Sequence, residues 1–203
     1  MAPSQIDLGI VVWLGSYLFG SLPIGLIVAR RWKGIDIRQH GSGNIGATNV
    51  FRTVGSAAGI LVFILDVLKG FLPPLVAGLL VPGSSLVMVV AALCAILGHN
   101  FSPFLKFKGG KGISTSLGTL IAIAPMVGLI AFGLWAVLLA VTRYVSVGSI
   151  AGALSLPLLT PLIYHDDPYR MGYALAACLF ALIKHIPNIK RLLNGTENKC
   201  GTY

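Results

Sequence analysis

Apolar residues run along this chain in long stretches, separated by short clusters of glycine, proline, asparagine and basic residues. A helix needs about 20 apolar residues, with about 17–25 usual, to cross a bilayer core. The pattern therefore predicts membrane-spanning helices near residues 8–29, 53–80, 84–100, 112–124, 126–142, 146–164 and 170–187. The second is long, carries Asp66 and Lys69, and is expected to be interrupted at Pro73-Pro74. The fourth and fifth are short, and their lengths alone do not separate one span from two. The predicted fold class is an all-α integral membrane protein of about seven transmembrane helices, forming a single domain over residues 1–203.

Charge settles the count. With seven spans and the N-terminus outside, one side collects Arg30, Arg31, Lys33, Arg38, Arg52, Lys106, Lys108, Lys111, Arg143, Lys184, Lys190, Arg191 and Lys199, thirteen of the fifteen basic residues. Arg170 then lies opposite and Lys69 within the membrane. Merging spans four and five leaves nine inside and five outside. The positive-inside rule favours seven spans, N-terminus out and C-terminus cytoplasmic. Loops 30–52, 99–116, 143–149 and 184–199 then face the cytoplasm, and the even-numbered helices present their positive N-terminal ends there.

Composition agrees with the pattern. The chain is 56% hydrophobic with a mean hydropathy of +0.87, and 10% of its residues are charged, against roughly 25% in soluble domains. The net charge of +9 is distributed between apolar spans rather than along one solvated face. It reads as membrane topology plus an anionic ligand, not as a nucleic-acid surface. Cys94, Cys178 and Cys200 are scattered, without a CxxC pair or a histidine at metal-ligand spacing, so neither a structural disulfide nor a metal site is expected. No Lys or Arg precedes the first apolar run and no small-residue cleavage site follows it, so it is expected to be retained as a span.

The chemistry concentrates in the polar loops. From Gly98 the chain reads G-H-N-F-S-P-F-L-K-F-K-G-G-K-G-I-S-T-S-L-G, with Lys106, Lys108 and Lys111 among Gly109, Gly110 and Gly112. Glycines allow backbone N–H groups to close on an anion, and a following helix adds its positive end. The spacing is not that of a Walker A loop. Lysines placed here to set topology are the competing explanation. Gly41 to Arg52 is rich in small and amide side chains, with Ser42, Asn44, Thr48 and Asn49, and Arg52 follows three residues after Asn49. A simple helix cap would have similar composition.

A third polar segment, R-Y-V-S-V-G-S, runs from Arg143 to Ser149. Three such helix starts suffice to enclose one phosphate-bearing site. Asp66 and Lys69, at i and i+3 within a span, are either functional or a structural ion pair. His99 and His165, at span ends, are expected at the interface. The tail from Lys184 to Lys199 reads as an interfacial amphipathic segment. No GxSxG elbow appears, and no histidine is followed by Asp after four intervening residues. An enzyme built this way needs an activated substrate.

Taken together, G-S-G-N-I-G-A-T-N-V-F-R, G-H-N-F-S-P-F-L-K-F-K-G-G-K-G-I-S-T, R-Y-V-S-V-G-S and N-I-K-R-L-L-N-G-T-E, in that order, closely resemble the bacterial acyl-phosphate:glycerol-3-phosphate acyltransferase family, PlsY. The L-D-V-L-K-G and G-S-L-P-I-G runs fit as well, and the resemblance covers essentially the whole chain. It implies acyl transfer from a long-chain acyl phosphate to the sn-1 hydroxyl of glycerol 3-phosphate in the bacterial inner membrane, at the cytoplasmic face. Membrane lipids and the soluble enzyme that makes acyl phosphate are the partners it implies, without a cofactor or nucleic acid. On this resemblance, Lys111, Asn188 and His185 are the expected catalytic residues. Ser42, Asn44, Thr48, Asn49, Arg52, Gly109, Gly110, Gly112, Thr115 and Ser149 are expected to bind substrate. Asp66, Lys69, Arg143 and Glu197 are assigned structural or further site roles, with contact of Asp66 and Lys69 with substrate left open and Glu197 ordering the basic tail. The competing class is a transporter of a phosphorylated or other anionic solute, suggested by the short spans, the helix prolines and the Asp66–Lys69 pair.

Overall fold

The structure, a computed structural model, describes residues 3–201, with side chains from Asp7 onward. Its helices are α1 (Pro3–Gly20), α2 (Ile24–Lys33), α3 (Ala47–Thr53), α4 (Ser56–Leu80), α5 (Ser85–Asn100), α6 (Ile113–Ile123), α7 (Pro125–Thr142), α8 (Val145–Ile163) and α9 (Pro168–Leu193). Short 3-10 turns lie at Ile37–Gln39 and Pro103–Leu105, and no strand occurs among the described residues. Among the described residues, six stretches are long and apolar enough to cross a membrane: Asp7–Lys33, Ser56–Leu80, Ser85–Leu105, Pro125–Thr142, Val145–Ile163 and Pro168–Leu193. The 11-residue α6 is a shorter apolar helix. Leu79, Val141, Leu158 and Leu162 are exposed to 68–76%, the surface of a protein solvated by lipid rather than water.

The chain divides into two compact units, Met1–Ile123 and Ala124–Tyr203. In the first, glycine lets helices approach backbone to backbone, which is how apolar helices associate where lipid removes the hydrophobic drive. A Cβ on Gly20 would strike the Ala95 carbonyl, and one on Gly98 the Tyr17 carbonyl, so α1 lies tightly on α5. Gly70 meets Thr115 and Gly118 meets Val67 in the same way. These two contacts seat the first turns of α6 against the middle of α4.

Three expectations need correction. The first apolar run is not one helix but breaks at Ser21–Pro23 between α1 and α2. Pro23 lacks an N–H, and the Ser21 and Leu22 carbonyls are taken instead by Ser102 Oγ (2.7 Å) and Lys69 Nζ (3.0 Å). Pro73-Pro74, by contrast, does not interrupt the second span. Both prolines are buried and α4 stays helical through them, held by neighbouring packing that compensates for the two missing donors. That span also begins later than expected, at Ser56. Residues 47–53 form the separate α3, parted from α4 at Gly55, whose φ of 135° is accessible to glycine alone.

In the second unit α8 packs against both α7 and α9. The buried face of α8 carries Ser146, Gly148, Ser149, Gly152, Ala153, Leu156 and Thr160. On α9 the buried face runs Tyr173, Ala174, Ala177, Cys178, Ala181, His185 and Asn188. The helical period thus carries His185 and Asn188 on the same side as the small residues that permit close packing.

Candidate functional site

The Gly41–Arg52 motif is organised from within. Asn49 is 2% exposed, and its amide nitrogen donates toward the carbonyls of Ile37 (3.3 Å), His40 (3.0 Å) and Asn44 (2.8 Å). Its Oδ1 accepts from Ser42 N at 2.9 Å. Asn49 is therefore committed to shaping the loop, and its expected part in orienting substrate passes through the residues it holds. Asn44 Oδ1 accepts from Gly46 N, closing a small turn. Ser42 and Thr48 are exposed and Arg52 is half-buried. Ahead of the loop, Asp36 accepts hydrogen bonds from Arg38 and Arg30, which hold its carboxyl well below the usual carboxylate range.

Ile37, Ile45 and Val50 of this segment share one apolar cluster with Leu26 of α2 and with Leu105, just ahead of the lysine-rich loop. Both motifs thus stand on a common floor. Lys106 and Phe107 adopt left-handed backbone (φ 53° and 61°), turning the chain back so that Gly110 and Gly112 are buried and Lys111 is half-buried. Gly109 N and Gly110 N donate to the carbonyls of Asn100 (3.2 Å) and His99 (3.0 Å). The expectation that these two N–H groups face a ligand is not met by this geometry. They satisfy orphan carbonyls at the end of α5 instead. Gly112, at φ 79°, leads into α6. Thr115, expected to touch substrate, is completely buried at the α4 crossing, and its hydroxyl has no hydrogen-bond partner among the described residues.

Beneath the loop the Asp66–Lys69 pair takes in a third member that the sequence reading placed elsewhere. Lys69 Nζ contacts Asp66 Oδ1 (2.9 Å), His99 Nδ1 (2.9 Å) and Leu22 O (3.0 Å), and the three side chains are 1%, 2% and 4% exposed. Asp66 and Lys69 are thus a buried ion pair. His99, expected at the interface, is enclosed. Its signal was present in the G-H-N-F-S run, but a span-end position hides the difference between a buried and an interfacial histidine.

In the second unit, Glu197 Oε1 accepts from Asn188 Nδ2 at 2.6 Å and Oε2 from Arg191 Nε at 2.7 Å. Burial raises the Glu197 carboxyl pKa, but hydrogen bonds from Asn188 and Arg191 outweigh it and bring it below the ordinary value. The tail is clipped a second time where Arg143 donates to Cys200 O (2.9 Å) and accepts from Cys200 N at its own carbonyl (2.7 Å). Lys199 lies 5.5 Å over the Tyr144 ring. His185 Nδ1 is 2.8 Å from Ala181 O, so that nitrogen carries its hydrogen. Ser149 Oγ donates to Val145 O at 2.9 Å.

One family model, Glycerol-3-phosphate acyltransferase, matches residues 10–195, nearly the whole chain. The chain belongs to this family. It is 46% identical to the glycerol-3-phosphate acyltransferase of Desulforamulus reducens, over 95% of each chain. Glycerol-3-phosphate acyltransferase 2 of Moorella thermoacetica is 45% identical, over 92% of this chain and 94% of the relative. Among solved structures, the crystal structure of PlsY (YgiH), an integral membrane glycerol 3-phosphate acyltransferase, in its glycerol 3-phosphate form is 39% identical with a TM-score of 0.90. Its lysophosphatidic acid form has a TM-score of 0.87 and 38% identity, and both cover 96% of each chain.

Proposed function

We propose that this glycerol-3-phosphate acyltransferase draws its acyl group from a long-chain acyl phosphate. The sn-1 hydroxyl oxygen of glycerol 3-phosphate attacks the acyl carbonyl carbon, and the bond from that carbon to the phosphate oxygen breaks. The hydroxyl proton passes to a base and inorganic phosphate leaves with the bonding pair. A mixed anhydride has a good leaving group, so no covalent acyl-enzyme is needed, and positioning with charge stabilisation supplies the catalysis. The observation that carries this reading is Lys111, a cation on a partly buried glycine loop at the start of α6, beside the middle of a membrane-spanning helix. Such a place suits a donor that is part phosphate and part hydrocarbon.

Lys111, Arg52 and Ser42 bind phosphate in the first unit, and Ser149 does so in the second. Asn44, Thr48 and Asn188 orient the glycerol and the acyl carbonyl. With Nδ1 of His185 engaged on Ala181 O, proton exchange with substrate falls to Nε2. The base is the phosphate of glycerol 3-phosphate itself, whose second ionisation lies near neutral pH. Glu197 clips the tail rather than taking the proton. The site faces the cytoplasm of a bacterial inner membrane, where a soluble acyl-phosphate-forming enzyme supplies the donor.

The transporter reading loses its supports. Asp66 and Lys69 are paired with each other, α4 is continuous through its prolines, and the carbonyls at the α1–α2 break are already occupied by Lys69 and Ser102.

The direct test gives the purified protein palmitoyl phosphate with and without glycerol 3-phosphate and follows phosphate and lysophosphatidic acid. Matched release of both that requires glycerol 3-phosphate is expected. Turnover with acyl-CoA or acyl carrier protein donors but none with palmitoyl phosphate would reject the donor. Lys111→Ala is expected to lower turnover by at least about 100-fold, as loss of a transition-state cation does, while remaining folded and monodisperse.

A further inference from the structure

The Asp66–Lys69–His99 cluster is buried, polar and placed directly under the loop that carries Lys111, yet none of its members is needed for the proposed chemistry. Its geometry fixes its protonation. A lysine ammonium has three N–H donors and no acceptor. Two of them reach His99 Nδ1 and the Leu22 carbonyl, at 2.9 and 3.0 Å, and the ammonium forms an ion pair with Asp66 Oδ1 at 2.9 Å. His99 Nδ1 must therefore accept, which leaves the ring neutral with its hydrogen on Nε2. The nearby Asp66 Oδ1, 3.7 Å from the same nitrogen, cannot draw a proton onto it while the ammonium occupies that edge.

The opposite edge of the ring supports the loop. A Cβ at Gly110 would overlap His99 Nε2, and Gly110 N donates to the His99 carbonyl at 3.0 Å. Gly109 does the same to Asn100, and a Cβ at Gly112 would lie 2.6 Å from Asn100 Oδ1. The two residues flanking Lys111 thus rest on the last turn of α5, and Lys69 holds the orientation of the ring in that turn.

We propose that Lys69, Asp66 and His99 are positioning residues that set the placement of Lys111 for the phosphate of glycerol 3-phosphate. The inference rests on the role given to Lys111 above. Lys69 acts as a tethered cation joining four elements: the α1–α2 break, α4, the end of α5 and, through His99, the glycine loop. A misplacement of about 1 Å at such a group is enough to cost a large factor in rate.

The test compares glycerol 3-phosphate affinity by titration calorimetry, with melting temperature measured alongside. His99→Asn keeps an acceptor toward Lys69 and removes the edge beneath Gly110. Asp66→Asn/Lys69→Met removes the ion pair without stranding a charge. Gly110→Ala presses on His99 from the loop side. Each is made with Lys111 present and again in Lys111→Ala. The expected result is affinity about 10-fold weaker with Lys111 present, the scale of one charge-assisted hydrogen bond, and no further loss in Lys111→Ala. Equal losses in both backgrounds would show a general structural role and overturn the proposal, as would unchanged affinity in the variants that fold. If Lys111→Ala itself binds normally, the role of Lys111 fails and this inference falls with it. If only Lys111→Ala loses affinity, the inference fails alone.

Discussion

Asn49 accepts one hydrogen bond from loop backbone and shares its two amide hydrogens among three loop carbonyls, so its side chain is worth more than its surroundings suggest. At about 1 kcal/mol net per hydrogen bond, with an added penalty for groups left unpaired, Asn49→Ala is expected to cost about 2–4 kcal/mol. A lower melting temperature and a raised KM for glycerol 3-phosphate measure it, whereas Thr48→Val, at an exposed position, leaves the melting temperature unchanged. Glu197 provides the pH dependence at this scale. Its carboxyl sits below the ordinary value of 4.5 in the folded protein, so the tail clip contributes stability above that pH. The contribution is lost as pH falls through the lowered value. Melting temperature should therefore drop on acidification below about 4.5, and Glu197→Gln should flatten that part of the curve. The residue types in these motifs were legible from the sequence, but their division of labour was not. An amide can face a ligand or a carbonyl with equal ease, and only the fold shows that Asn49, Gly109 and Gly110 face carbonyls.

At the scale of elements, the run of apolar residues located the helices well because lipid imposes a length and forbids unpaired backbone. It misplaced the breaks because these depend on tertiary partners. Ser21–Pro23 opens where Lys69 and Ser102 are at hand, and Pro73-Pro74 does not open where α6 lies alongside. The short α6 has a related cause. Its first turns meet α4 around Gly70, so the buried glycine loop supplies part of the depth that a longer helix would otherwise cover. Gly118→Val is expected to separate α4 from α6 by forcing a side chain into the Val67 backbone. Loss of monodispersity in detergent, or a melting temperature lowered by more than about 5 °C as overpacking of about 1–3 kcal/mol implies, would report it. Gly133→Val, where a Cβ meets nothing within 4 Å, is the matched control.

For the molecule as a whole, the distribution of basic residues predicts that the membrane is crossed an odd number of times. The loop and α6 then make one crossing together, with the N-terminus outside and the tail inside. Labelling by a membrane-impermeant thiol reagent in intact cells checks this, in a variant whose native cysteines are replaced. A cysteine at Asp166 is expected to react from outside, whereas one at Asn198 reacts only after lysis. The reverse pattern, Asn198 reacting from outside and Asp166 only after lysis, would leave α6 as a helix that dips in and returns.

The tethered ammonium at the α1–α2 break has an electrical consequence. As an ion pair Asp66 and Lys69 offset each other, and a His99 that accepts from the ammonium adds no charge, so the paired cluster is electrically neutral. Membrane voltage does work only on charge that moves, about 2.3 kcal/mol per elementary charge per 100 mV. The polar heart of the first unit offers voltage nothing to move, and it is held in the same way in an energised cell as in a de-energised vesicle.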